Sequence, residues 1–70
     1  MNTSEIIFLV EESIDGGFEA RALGQSIYTE GETLAELRIM VADAVRCHFE
    51  EAQIPPIIRL HMVRDEVFAL

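Results

Sequence analysis

Apolar and polar positions alternate in the first third of the chain and then change period near its middle. Residues 5 to 12, EIIFLVEE, place Ile6, Phe8 and Val10 on one face and Ile7 and Leu9 on the other. Both faces are apolar, which predicts a central β-strand. Asp15-Gly16-Gly17 follows, a composition that admits positive φ and suits a hairpin turn. From Phe18 to Leu23 the apolar Phe18, Ala20 and Ala22 alternate with Glu19 and Arg21, predicting an antiparallel second strand with one buried and one polar face. Gly24 and Gln25 break the pattern, and Ser26 to Thr29 is expected to return as a short third strand.

At Leu34 the spacing becomes helical. Leu34, Leu37, Val41, Ala44 and Val45 recur at steps of three and four, predicting an amphipathic helix to about Glu51, which Ile54-Pro55-Pro56 stops. At about 100° per residue, His48 falls on the buried stripe with Leu34 and Val41, while Ile39 and Cys47 point away. Thr33-Leu34-Ala35-Glu36 has the form of a capping box, in which the Thr33 side chain accepts from the Glu36 N–H and the Glu36 carboxylate reaches back to the Thr33 N–H. Glu30, Glu32 and Glu36 then read as carboxylates at the positive end of a helix dipole, with Gly31 bending the approach. In residues 57 to 63, IIRLHMV, the apolar Ile58, Leu60 and Met62 alternate with Arg59 and His61, which predicts a fourth strand. Its position after a helix favours a right-handed parallel crossover beside the first strand. Arg64-Asp65-Glu66 interrupts, and Val67-Phe68-Ala69-Leu70 is expected to add an edge strand or to meet another chain.

The expected fold class is therefore α+β: a small mixed, largely antiparallel sheet with one helix on one face, in the order strand-strand-strand-helix-strand, as a single domain over residues 1–70. One sheet face stays uncovered. Ile7 and Leu9 point there, with Tyr28 or Ile27 and the stems of Arg21 and Arg59, an apolar centre with a charged border that has the make-up of an interface. Ile39 is the exposed apolar residue of the helix. Ile7, Leu9, Tyr28 and Ile39 are accordingly the candidate oligomer contacts.

Size sharpens this expectation. A chain of 70 residues buries only about 60% of its unfolded surface. Such small domains gain stability from disulfides, a metal or association, and the single cysteine, Cys47, removes the first. A reducing, cytoplasmic setting and a homo-oligomer, a dimer, are expected. The longest apolar run, Ile6 to Val10, is too short to span a bilayer, and no signal-peptide pattern opens the chain.

Thirteen acidic residues against five arginines give a formal net charge of −8, which repels nucleic acid and anionic membrane and favours a basic partner. The acids concentrate in the first half, and Glu11, Glu12, Asp15 and Glu19 form the densest group. These four are the candidate partner-binding residues. Catalysis finds little support. Cys47 and His48 are helix neighbours whose side chains diverge, His61 lies on the outward face of its strand, and exposed hairpin carboxylates lack the burial that tunes a pKa for acid–base work. Neither calcium-loop nor zinc-ligand spacing occurs. No catalytic residue, metal or cofactor is expected.

With its segments placed, the chain resembles the HicB-like antitoxin family. The opening IIFLVEE, the DGGFEARALG hairpin and SIYTEGETLAELRIMVADAVRCHFEE carry the resemblance. Thr29, Gly31, Glu32, Thr33, Leu34 and Glu36 match the family's T-x-G-[DE]-T-L-x-E pattern, and the resemblance covers most of the chain. It implies a partial ribonuclease-H-like sheet with one helix, dimerisation, and neutralisation of a small basic HicA-like toxin that cleaves messenger RNA. Many relatives have Pro-Gly-Cys or Pro-Gly-Val where this chain has Leu23-Gly24-Gln25-Ser26, and many continue into a DNA-binding module, for which 70 residues leave no room. Direct nucleic-acid binding is therefore not expected. The function expected is a non-catalytic binding module that occupies the basic surface of such a toxin. The alternatives are a self-associating structural or regulatory dimer without a toxin, and a vestigial hydrolase using the carboxylates with a divalent metal.

Overall fold

The computed structural model describes residues 5–70. Strands β1 (Glu5–Glu12), β2 (Phe18–Ala22) and β3 (Tyr28–Gly31) precede helix α1 (Leu34–His48), and β4 (Ile57–Val63) follows it after a short 3-10 turn, Glu51–Gln53. The four strands form one sheet in the order β3-β2-β1-β4. β1 pairs antiparallel with β2 and parallel with β4, so it is the interior strand its two apolar faces demand.

The hairpin between β1 and β2 closes through Gly16 and Gly17 at φ 94° and 82°, with the Ser13 and Gly17 backbones joined at 3.0 Å. α1 covers one sheet face. Leu37, Val41 and Val45 lie buried against Ile6, Phe8 and Val10 of β1, Ala20 and Ala22 of β2, and Ile27, with Phe8 wholly buried at the centre. Small alanines on β2 let the helix approach that strand closely. Phe18, Phe49, Ile54, Ile58 and Leu60 pack around the margin.

Gly31 has a specific task at the junction of β3 and α1. A β-carbon there would stand 2.8 Å from the Leu37 backbone nitrogen and 2.9 Å from its Cα, closer than real contacts allow. The glycine therefore lets the first turn of the helix rest on the end of the strand.

Several boundaries depart from the sequence expectation. The third strand is Tyr28–Gly31 rather than Ser26 to Thr29, because Ile27 is drawn into the core instead, where its carbonyl accepts from the Ala22 N–H at 2.9 Å. β2 ends at Ala22. α1 stops at His48, short of Glu51, and Phe49 caps it with extended backbone and an N–H donated to the Val45 carbonyl at 3.2 Å. Phe49 takes the margin of the core that continued helix would have given to His48, and the imidazole is exposed, 3.2 Å from Gln25 Oε1. Leu34 and Met62, expected inside, are 42% and 47% exposed. The Thr33 hydroxyl accepts from the Glu36 N–H at 3.0 Å as expected, but the Glu36 carboxylate accepts from the N–H of Glu32 at 2.9 Å, one residue before the cap. Val67–Leu70 forms no strand and is exposed.

Candidate functional site

The uncovered face of the sheet is built by strand alternation. The residues that alternate with the core set are Glu5, Ile7, Leu9 and Glu11 on β1, Glu19 and Arg21 on β2, Tyr28 and Glu30 on β3, and Ile57, Arg59, His61 and Val63 on β4. Strand register sorts them into rows that cross the sheet. One row reads Tyr28, Arg21, Leu9, His61, and the next reads Glu30, Glu19, Glu11, Val63. A further row sets Ile7 beside Arg59.

Three carboxylates thus stand side by side on three adjacent strands. Directly opposed residues in antiparallel strands have β-carbons about 4.5–5.5 Å apart, where like charges destabilise the pairing. Glu19 sits in the middle with a carboxylate on each side, half-buried, and the Ser13 hydroxyl donates to its Oε2 at 3.1 Å. Loss of water around the ring, followed by the charges of Glu19 and Glu30, pushes the Tyr28 phenol above its ordinary value. Tyr28 is nevertheless 58% exposed, so its hydroxyl edge is available at the surface. Ile7 and Leu9 are half-buried. Arg59 bonds to Glu5, tying β4 to β1 and raising the already high guanidinium pKa through that hydrogen bond and the Glu5 charge.

The eight residues singled out by sequence do not form one surface. Glu11, Glu19, Ile7, Leu9 and Tyr28 share the uncovered face. Glu12 is exposed at the end of β1 and alternates to the helix side, opposite Phe18. Asp15 is exposed in the hairpin turn. Ile39, 63% exposed, lies on α1, across the sheet from Ile7, Leu9 and Tyr28, above a shallow hollow lined by Ala35, Arg38, Ala42 and Arg46.

Glu30 is the site residue that sequence reading assigns elsewhere. It was expected to serve the helix dipole, but it lies in β3 opposite Glu19. The alternation of Tyr28 and Glu30, counted back through the hairpin register, is the signal that could have placed it. Among the described residues, no group of three His, Cys, Asp or Glu side chains is arranged to hold a metal ion. No helix among them is long and apolar enough to cross a membrane.

Comparison with known proteins fixes the relationship. Over 66 residues, 94% of this chain and 93% of the relative, the sequence is 41% identical to a UPF0150 protein of Thermotoga maritima. The chain belongs to the UPF0150 family. A second UPF0150 protein, from Archaeoglobus fulgidus, is 60% identical over 50 residues, 71% of this chain and 74% of that one. The match to the Thermotoga UPF0150 protein spans nearly the whole chain, so it takes in the sheet and the helix together. No family model matches the chain, and no solved structure matches it.

Proposed function

We propose that this UPF0150 chain is a non-catalytic binding module whose uncovered sheet face holds a small basic protein, in the manner of the HicB-like antitoxins its sequence resembles. The observation that supports this is the row Glu30, Glu19, Glu11 across three neighbouring strands. Aligned like charges work against the sheet that carries them, and departures of this kind from local consistency belong to functional surfaces. A partner's lysines or arginines would neutralise the row and turn a cost of folding into a gain on binding. Tyr28 and Leu9 lie in the adjoining row and Ile7 in the one beyond, and they supply the apolar contact that holds the partners once charge has aligned them.

A second copy of the chain is a poorer occupant of this face, because each copy brings a net charge of −8. The occupant that fits is cationic, and a basic messenger-RNA-cleaving toxin of the HicA type has that character. Binding of this kind weakens as salt rises, since the Debye length is only about 8 Å near physiological ionic strength.

The test mixes the chain with a purified basic HicA-like ribonuclease and follows both complex formation and RNA cleavage. The wild-type chain is expected to co-elute with the enzyme and silence it. The double variant Glu11→Lys with Glu19→Lys is expected to bind at least tenfold more weakly while keeping the circular dichroism of the native fold. Cleavage unchanged by the wild-type chain would overturn the proposal.

A further inference from the structure

The uncovered face carries two arginines, and the chain treats them differently. Arg59 on β4 is bonded to Glu5 of β1, so its charge is answered within the chain. Arg21 on β2 is exposed. Among the described residues the ion pairs are Arg59 with Glu5 and Arg46 with Asp43, and neither includes Arg21.

Carboxylates are nevertheless close. Glu19 lies two residues back on the same face of β2, about 7 Å along the strand. Glu30 and Glu11 lie diagonally across the pairings of Arg21 with Tyr28 and with Leu9, a separation of about 7–8 Å that a long side chain can bridge. Glu19 instead accepts from the Ser13 hydroxyl at 3.1 Å, and Glu11 and Glu30 are exposed.

Register settles what a partner must bury here. Arg21 stands directly between Tyr28 and Leu9 on adjoining strands, so a molecule that rests on both of those side chains also covers the guanidinium between them. A guanidinium cannot escape its charge by losing a proton. Covered without a counter-ion, it opposes association strongly, because its water is lost and nothing replaces it. The acidic row cannot supply that counter-ion while its carboxylates are turned to the partner's own cations. The remaining source is the partner.

We infer, on the reading of the uncovered face as the site for a basic protein, that Arg21 is its specificity-determining residue and takes a carboxylate from the partner. The protein that fits is then a basic one with an acidic side chain set beside its cationic cluster. Arg21 and the acidic row are two residues apart along the strand, which fixes the spacing at about 7 Å. A partner meets it with opposite charges at i and i+2 of a strand or at i and i+4 of a helix. A guanidinium holds a carboxylate through two parallel N–H···O bonds, so the contact sets orientation as well as adding attraction. It also excludes. A polycation lacking such a carboxylate is drawn to the three glutamates equally well, but it must leave Tyr28 and Leu9 uncovered or bury Arg21 unpaired.

Arg21→Ala separates this role from simple screening of the row, because the two predict opposite signs. A screening arginine, once removed, leaves the face more attractive to every basic molecule. A selecting one leaves it less able to hold the partner that fits. Titration of the purified basic HicA-like ribonuclease into the full chain is expected to show a dissociation constant at least tenfold higher for Arg21→Ala than for wild type, while a polylysine peptide binds the variant as tightly as wild type or more so. Arg21→Lys keeps the charge but loses the planar fork, and is expected to recover only part of the ribonuclease binding. Because Arg21 is exposed, both variants are expected to keep the native circular dichroism. Alanine substitutions at the ribonuclease's surface carboxylates, each paired with Arg21→Ala, are expected to find one whose loss costs nothing further once Arg21 is gone. Wild-type capture of the ribonuclease that Arg21→Ala matches or exceeds would overturn the role of Arg21 and leave the reading of the face standing, as would the lack of any coupled carboxylate. A wild-type chain that does not capture the ribonuclease would overturn both together.

Discussion

Neighbouring residues of β1 live in different worlds. Ile6, Phe8 and Val10 are sealed beneath α1, with Phe8 and Val10 at 0% exposure, while Ile7, Leu9 and Glu11 look out from the other side of the same backbone. The buried three are held by contacts inside the chain and have no freedom to do anything else. Of the outward three, Ile7 and Leu9 are half-buried and Glu11 is exposed, so part of their surface stays open to another molecule. In a domain this small a sealed surface and an open one are separated by nothing more than the two-residue period of a strand.

The sharpest test of that separation is truncation on each side. Phe8→Ala removes the centre of the core, and such changes cost about 3–5 kcal/mol. Against the marginal stability of a small domain this is expected to leave the chain largely unfolded at room temperature by circular dichroism. Leu9→Ser, one residue along, is expected to keep the native spectrum and a melting transition within a few degrees of wild type, while weakening capture of a basic partner. Equal losses of stability at both positions would erase the distinction between the faces.

A smaller effect is expected where the covered side begins. Thr33→Ala removes the hydroxyl that accepts from the Glu36 N–H and is expected to cost about 1 kcal/mol, read as a lower denaturant midpoint with an unchanged slope.

The smallest effect lies on the open side and barely touches stability. Tyr28 is the only tyrosine of the chain, so its ionisation can be followed by ultraviolet absorbance without ambiguity. Its phenol is expected to titrate above its ordinary value, first because of lost water and then because Glu19 and Glu30 oppose a further negative charge. Glu19→Gln removes the first-named charge and is expected to bring the titration down toward the ordinary value. The sign for folding follows. A pKa raised in the folded chain stabilises it fully below the unfolded value of the phenol, and that contribution fades as pH climbs toward the folded one. An unchanged Tyr28 titration in Glu19→Gln would mean that the row does not act as a charged unit.

How much of this was legible beforehand depended on the range over which each feature is decided. The two-faced β1, the Asp15-Gly16-Gly17 turn, the Thr33 cap and the α+β order rest on local alternation, backbone freedom and capping chemistry, and they can be read from short windows of sequence. The third strand was displaced by two residues because Ile27 answers to the core, which no local window contains. His48 was misplaced for a related reason: the helix stops where Phe49 finds a better margin to fill, so the stripe is cut one step early. The site was half legible. Glu11 and Glu19 could be gathered from their closeness along the hairpin, but Glu12 and Asp15 came with them although alternation and the turn send both elsewhere. Glu30 was missed because its place in the row depends on the register between β2 and β3.

The parallel union of β1 with β4 also governs when this domain can form. Glu5 lies beside Ile57 and Glu11 beside Val63, so the first strand must wait for nearly all of the chain to be synthesised before its second flank is covered. Hairpins close in about 1–10 μs, and the β1–β2 ribbon can assemble while β4 is still inside the ribosome. Such distant pairing slows the final step relative to the local ones. During that interval the newborn molecule carries a bare apolar strand, which makes its emergence, rather than its mature state, the moment of greatest exposure to misassembly.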